Sequence, residues 1–315
     1  MSASVSSGVH EAWHYTTAAG FKGIVENDFL LAGPASQMND SREIIEGYDA
    51  VRTLVLPPEV SSNAHARAEL LECLGSLEDA MEAMHSLFSL SASSNGDNLS
   101  LWRAYGGAGS YAIRLDHEAS LFPIVDVDRL DQRLTKEAIP GLELHEPFPH
   151  AAAKVLKDWK PVDYTMESAK KHAKMFDASV ASGGLQDWQK KMIEDYKYDL
   201  FARIKHSSFS AEEEVRKTFR VAPSLAFDYF LGAGSTLKRF IKVGYSLDQK
   251  LGEASNAGDF VLWNCMPEPE KLPILEVKLS PTGHQPSAVE TAKSFLALHG
   301  HTDIPVSFSA SPFTG

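Results

Sequence analysis

The sequence predicts an α+β protein, with a mixed or antiparallel sheet assembled from distant segments and flanked by helices. Three observations predict it. Aromatic and β-branched runs of strand length open the chain at 13–16 and dominate its last third, at 214–221, 237–243, 260–263 and 274–279. Apolar residues at intervals of three and four fill much of the stretch between. The composition, 43% hydrophobic and 23% charged over 315 residues, suits a globular chain with a large core. We read residues 1–315 as a single domain in which 116–208 forms a mostly helical insertion or subdomain.

Each element has a local reason. Trp13-His14-Tyr15-Thr16 reads as an aromatic strand, and Thr17 caps a short helix whose Phe21, Ile24 and Val25 share one face. Asn27-Asp28 turns the chain into the strand Phe29-Leu30-Leu31, which Gly33-Pro34 should end. Asp40 or Ser41 can cap the next helix, with Ile44, Ile45, Tyr48 and Val51 at helical spacing, and Pro57-Pro58 stops it. Residues 64–87 predict one more helix, through Leu70, Leu74, Leu77, Met81 and Met84. A strand at 87–90, a helical turn at 99–105 and a strand at 111–115 follow. Pro123, Pro140, Pro147 and Pro149 make 120–150 irregular, and 151–205 reads as helical, with Leu185, Trp188, Met192, Tyr196, Leu200 and Ile204 on one face of its last helix. A helix near 287–299 and a strand at 306–308 complete the pattern.

The net charge of -12 opposes nonspecific binding to phosphate backbones, although residues 151–205 carry a local excess of base. Cys73 and Cys265 are too few for a disulfide framework or a metal knuckle and read as buried free thiols. The first residues lack the basic and apolar regions of a secretory signal, and no run of about 18 apolar residues occurs, so the expected location is the cytoplasm, off the membrane. Gly106, Gly107 and Gly109 precede a strand, the wrong order for a loop that cradles phosphate, and so predict a turn with positive backbone angles. Neither a Gly-Lys-Ser/Thr loop nor a Gly-x-Ser-x-Gly elbow is present. The twelve histidines show no metal-ligand spacing, so no metal is expected.

Four polar motifs remain. In His14-Tyr15-Thr16, strand alternation sends His14 and Thr16 to one side and Tyr15 to the other; His14 is either a ribose-binding group or a satisfied buried side chain. Met38-Asn39-Asp40-Ser41-Arg42-Glu43 has the composition of a helix cap. Trp102 and Tyr105, one helical turn apart with Arg103 beside them, form either a stacking wall or part of the core. In Glu212-Glu213-Glu214-Val215-Arg216, alternation puts Glu212, Glu214 and Arg216 on one face. That arrangement is either a solvated acidic run or a held catalytic glutamate tuned by Arg216 and burial.

Together these motifs resemble the bacterial domain-of-unknown-function 2971 family, whose pattern runs His-Tyr-Thr, then Asn-Asp and Glu, then Trp-x-x-Tyr with a following Gly, then Glu-x-Glu-x-Arg. The matching residues are His14-Tyr15-Thr16, Asn39-Asp40 with Glu43, Trp102-Arg103-Ala104-Tyr105 with Gly109, and Glu212 to Arg216. The resemblance runs from about residue 13 to the C-terminus. More distantly, the opening strand histidine and the late glutamate look like the His-Tyr-Glu branch of the ADP-ribosyltransferase superfamily, which includes DNA-modifying toxins.

That resemblance implies an ADP-ribosyltransferase-like split sheet and an NAD-consuming enzyme of toxin or phage-defence type. Such an enzyme transfers ADP-ribose to a protein or nucleic acid, or hydrolyses NAD. Its glutamate would stabilise the cation-like sugar formed when the nicotinamide bond breaks. By the same resemblance Glu214 takes that role with Glu212 as substitute, and His14 holds a ribose hydroxyl supported by Thr16. Tyr15, Asn39, Asp40 and Trp102 line the NAD site, Tyr105 or Tyr111 stacks on nicotinamide, and Arg103 or Arg216 meets the pyrophosphate. The alternative is a non-catalytic nucleotide- or partner-binding regulatory module on the same fold. The enzyme reading requires His14 and Glu214 to face one cleft.

Overall fold

The structure, a computed structural model, describes residues 9–35, 43–55, 64–105, 109–124, 153–156, 158–167, 170, 186–221, 228–231, 237–246, 260–263, 269–281 and 286–311. Its strands are β1 (Ala12–Thr16), β2 (Leu30–Pro34), β3 (Leu87–Ser93), β4 (Tyr111–Leu115), β5 (Leu121–Ile124), β6 (Ala153–Leu156), β7 (Lys160–Pro161), β8 (Glu214–Arg220), β9 (Asp228–Leu231), β10 (Leu237–Tyr245), β11 (Phe260–Trp263), β12 (Ile274–Leu279) and β13 (Val306–Phe308). Its helices are α1 (Ala18–Asn27), α2 (Glu43–Val55), α3 (Ala64–Leu74), α4 (Leu77–Ala83), α5 (Leu99–Tyr105), α6 (Asp187–Arg203) and α7 (Pro286–Leu298). Among the described residues no helix is long and apolar enough to cross a membrane.

The strands form one open, mixed sheet in the order β11-β6-β8-β3-β1-β4-β12-β13, with β10 joining β2, β5 and β9 to it. Every described strand pairing is antiparallel except that of β12 with β13. Neighbours on this path come from far apart in the sequence, so the sheet is stitched by long-range contacts.

Strand alternation gives the sheet two chemically different faces. Ala12, Leu90, Ile113, Val215, Phe219, Ile241 and Val277 pack with Phe21, Ile24 and Val25 of α1 and with Ala292 and Leu296 of α7 into the larger core. On the other face, Trp13, Tyr15 and Ala112 pack beneath Leu101 and Trp102 of α5. Beside them α2, α3, α4 and α6 form a helical cluster around Tyr48, Leu70, Ile193 and Phe201. Gly47 is required where α2 crosses α6, because a Cβ there would overlap the backbone of Phe201. That close crossing carries the start of α2 to the sheet.

Several sequence expectations hold in detail. The Thr17 hydroxyl accepts the Gly20 amide at 3.1 Å, and α1 buries Phe21, Ile24 and Val25. Gly109 adopts the positive φ, 97°, that its turn requires. Others need correction. The expected helix at 64–87 breaks at Gly75, which takes φ of 71°, and Ser76 restarts the chain with a reciprocal cap to Asp79. β2 continues through Gly33-Pro34, since Gly33 pairs with Ser89 and Pro34 with Phe88 of β3. The described residues of 116–208 include strands where helix was expected. They hold β5, β6 and β7 and one long helix, because 153–156 and 160–161 find partners on β8 that lie too far away in sequence to be anticipated. In α6 the buried face runs through Ile193, Leu200 and Phe201, with Ile204 buried just beyond its end, and Trp188 is left 64% exposed. The caps at Asp40 or Ser41, the stop at Pro57-Pro58, and Gly106 and Gly107 lie outside the described residues.

Candidate active site: a buried ion cluster in an aromatic cleft

A cleft of about 480 Å³ opens on the second face of the sheet, between α5 and the crossing of α2 with α6. Its walls include Trp13, Tyr15, Tyr105, Phe209 and Phe240. At its base lie Glu43, Lys205, Glu212, Glu214 and Arg216, three carboxylates against two cations, and Lys238 stands on the same wall. The size is within the usual range for a small-molecule site.

Glu43 starts α2, Lys205 follows α6, and Glu212 ends the 3-10 turn Ser207–Glu212. Glu213 then takes a left-handed φ of 48°, a strained conformation for a residue with a side chain, and β8 begins at Glu214. Hydrogen bonds from the β3–α5 loop fix this turn. Ser93 Oγ donates to the Glu212 carbonyl at 2.9 Å, the Ser94 amide to the Glu213 carbonyl at 2.9 Å, and Asn98 Nδ2 to the Ala211 carbonyl at 2.6 Å. The Glu214 amide donates to the Tyr164 hydroxyl at 3.1 Å.

The side chains form a closed network. Arg216 Nε donates to Glu214 Oε1 at 2.7 Å, and its Nη2 donates to Glu214 Oε2 and to Glu43 Oε2, each at 2.9 Å. Its Nη1 donates to the Ala202 carbonyl. Lys205 Nζ lies 2.7 Å from Glu212, 3.1 Å from Glu214 and 3.3 Å from Glu43. Burial opposes ionisation of Glu214, but Arg216 and then Lys205 outweigh it and hold the carboxyl at about 2. Burial likewise opposes the Lys205 charge, and Glu214, Glu212 and Glu43 reverse the effect and raise its pKa. Glu214 is therefore a carboxylate locked in its ionised form, unable to act as a general acid near neutral pH.

Tyr105 leaves 41% of its surface open, with its phenol end set deep. Burial, followed by the charges of Glu214 and Glu212, raises its pKa, so the ring is neutral. Ser91 and Ser89 of β3 face the same cavity, and the buried Ser89 hydroxyl has no partner among the described residues.

The structure thus brings Glu212, Glu214, Arg216, Tyr15 and Tyr105 together and disperses the rest of the expected set. His14 is the main correction. It shares the α1 face with Ala12 and with its pairing partner Ile113, away from Glu214, and its Nδ1 lies 3.0 Å from the Ser91 carbonyl. Burial lowers its pKa, an effect the Ser91 bond partly offsets. Thr16 lies on the same far face by alternation, and Tyr111 is stacked on Phe21 at 4.1 Å rather than lining the cleft. The guanidinium of Arg216 is committed to two glutamates and a carbonyl, which removes it as a pyrophosphate ligand. Arg103 is exposed on α5 and does not line the cleft. Asn39 and Asp40 lie outside the described residues.

Trp102 is structural, only 2% exposed, with its ring edge-on to Tyr15 at 4.8 Å. Its Nε1 donates to Asp97 at 3.1 Å. Asp97 also receives the Ser309 hydroxyl and the Ala310 amide, and Ser311 Oγ donates to its carbonyl, so residues 309–311 tie down the loop ahead of α5. The Tyr15 hydroxyl is spent in the same loop, donating to the Asn95 carbonyl and accepting the Asn98 amide.

Sequence reasoning missed Lys205, Tyr164 and the cleft serines, and it read Glu43 as part of a cap and of the matched motif without placing it in the site. Only Lys205 left a trace, as a base shortly before a run of three acids. Comparison of the chain with protein-family models, with curated proteins and with solved structures gave no match in any of the three.

Proposed function

We propose that the cleft binds the nicotinamide–ribose half of NAD and that Glu214 promotes cleavage of the bond between them, as in an ADP-ribosyltransferase or NAD glycohydrolase. The observation that carries this reading is the Glu214 carboxylate held between Arg216 and Lys205 in an aromatic cleft. An ordinary glycoside needs a protonated acid to discharge its leaving group. Nicotinamide does not. The C1′–N1 bond breaks with its electron pair passing to the pyridinium nitrogen, which leaves neutral. Positive charge develops on the ribose, where a fixed carboxylate stabilises it without reorganisation. The oxygen of water or of an acceptor group then bonds to C1′, and its proton passes to solvent or to Glu212.

On this reading Tyr105 stacks on the nicotinamide, and Ser89 and Ser91 stand where His14 was expected to hold the ribose. The resemblance to the domain-of-unknown-function 2971 family belongs to the same proposal. Three of its motifs meet in the cleft through Glu43, Tyr105 and Glu212 to Arg216, and the first contributes Tyr15 in place of His14. A toxin or phage-defence role follows from that resemblance alone.

One observation favours a second reading, a binding module without turnover. Both oxygens of Glu214 are already occupied, by Arg216 and by Lys205. A ligand must share or displace those contacts.

The test follows free nicotinamide released from NAD by the parent protein and by Glu214→Gln. Release that falls by about a hundredfold or more in a folded variant supports the enzyme. Saturable NAD binding with no release supports the module, and equal release by both proteins overturns the role of Glu214. Labelled ADP-ribose added to a cell lysate tests transfer to a macromolecule.

A further inference from the structure

We propose that Lys205 is a positioning residue that allows Glu212 and Glu214 to stand as adjacent anions, so that the cleft works at neutral pH. The inference rests on the reading of the cleft as acting through Glu214, but its electrostatic core can be tested without any substrate. Carboxylates crowded at one site do not all stay ionised unless cations lie between them, and an uncompensated pair retains a proton well above the ordinary range. Arg216 supplies charge to Glu214 and Glu43 from behind. Lys205 touches those two and also Glu212, and so closes the gap between the pair that faces the cavity.

The surroundings of Lys205 leave this role to its charge. Glu43 faces it from α2, Glu212 from the 3-10 turn, Glu214 and Arg216 from β8, and the neutral phenols of Tyr105 and Tyr164 from α5 and the segment after β7. The Phe209 ring lies 4.7 Å from its ammonium and supports the cation through its face. Asp163 accepts the Lys205 amide through its main chain, while its carboxylate is turned toward Thr165 and Glu167. Replacing Lys205 with a neutral side chain leaves Arg216 facing Glu43 and Glu214 and takes from Glu212 the ammonium 2.7 Å away.

The test compares the parent with Lys205→Met, Lys205→Arg and the double variant Lys205→Met/Glu212→Gln, which has the parent's net cluster charge. Carbon-detected NMR follows the glutamate carboxyls through a pH titration. We expect one carboxyl of Lys205→Met to titrate at least about one pH unit higher than in the parent, with Lys205→Arg and the double variant restoring the parent curve. The acid limb of nicotinamide release by Lys205→Met should then lie higher in pH than the parent's by the same interval as the carboxyl shift. Unchanged carboxyl titrations in Lys205→Met, or a Lys205→Arg curve that matches Lys205→Met, overturn the proposal. If Lys205→Met does not fold, recovery of folding in the charge-balanced double variant supports it, and failure of both overturns it. Shifted carboxyls with no nicotinamide release from any protein leave Lys205 in this role and remove NAD cleavage from the cleft.

Discussion

Arg216 and Lys217 are consecutive cations on β8, each almost wholly buried, and they face opposite sides of the sheet. Arg216 meets Glu214 and Glu43 on the cleft face, and those carboxylates raise its pKa against the effect of burial. Lys217 lies on the face of Val215 and Phe219, with its ammonium 3.5 Å from the Ala119 carbonyl. There burial dominates and draws its pKa down to about 8, with the charge of Asp158 offsetting part of the loss. Depth alone therefore does not decide ionisation in this protein. Two neighbouring residues at equal depth respond in opposite directions because the Glu214 and Glu43 carboxylates outweigh burial at Arg216, whereas burial outweighs the charge of Asp158 at Lys217.

The largest test of that contrast is Arg216→Ala. It strands Glu43 and Glu214 without their main cation, and loss of one partner from a buried ion pair costs about 3–5 kcal/mol. Urea unfolding at pH 7 should show it, and a loss below about 1 kcal/mol would mean that Lys205 alone suffices. Lys217→Met probes the other face with the opposite sign. In the fold Lys217 titrates near 8, below its ordinary value, so its burial is unfavourable while it is charged. As pH rises from about 8 toward 10.5 the folded state sheds the proton before the unfolded chain does, and stability increases. We expect Lys217→Met to be more stable than the parent by roughly 1–3 kcal/mol at pH 7 and to lack that alkaline rise. A variant less stable than the parent would reverse the assignment.

The smallest effect is expected at His14→Ala. Since His14 lies across the sheet from Glu214, nicotinamide release should stay within about twofold of the parent. Stability should drop by about 1 kcal/mol for the lost bond to Ser91. The lowered His14 pKa also means that its contribution is present above 6.5 and lost as pH falls, a limb that the variant will lack. A collapse of nicotinamide release would restore the histidine to the cleft.

How much of this was legible in sequence depended on how local the cause was. Thr17 and the α1 stripe were legible because cap and periodicity act over a few residues. β6 and β7 were not, since short segments become strands only when β8 is beside them. In the cleft, the alternation of Glu214 and Arg216 was readable, and so was the turn that presents Tyr105, whereas Glu212 reaches the same side from a 3-10 turn and the left-handed Glu213 and not by alternation. His14 was misassigned although its parity was read correctly. Alternation states which residues share a face within one strand, and it does not state which face of β1 matches which face of β8. That match is set by the β1–β3 and β3–β8 registers, pairings across scores of residues. Glu43 illustrates the same limit, being 173 residues from the arginine it neutralises.

The tie between Asp97 and residues 309–311 has a consequence for a chain still being made. While the ribosome adds the roughly 100 residues after Arg216, the loop that steadies Tyr105 lacks this C-terminal tie, an interval of roughly 5–20 s at elongation rates of about 5–20 residues per second. The nascent polypeptide thus already holds Glu43, Lys205, Glu212, Glu214 and Arg216 but lacks Lys238 and this final clasp, which closes only once Ser311 has emerged from the exit tunnel.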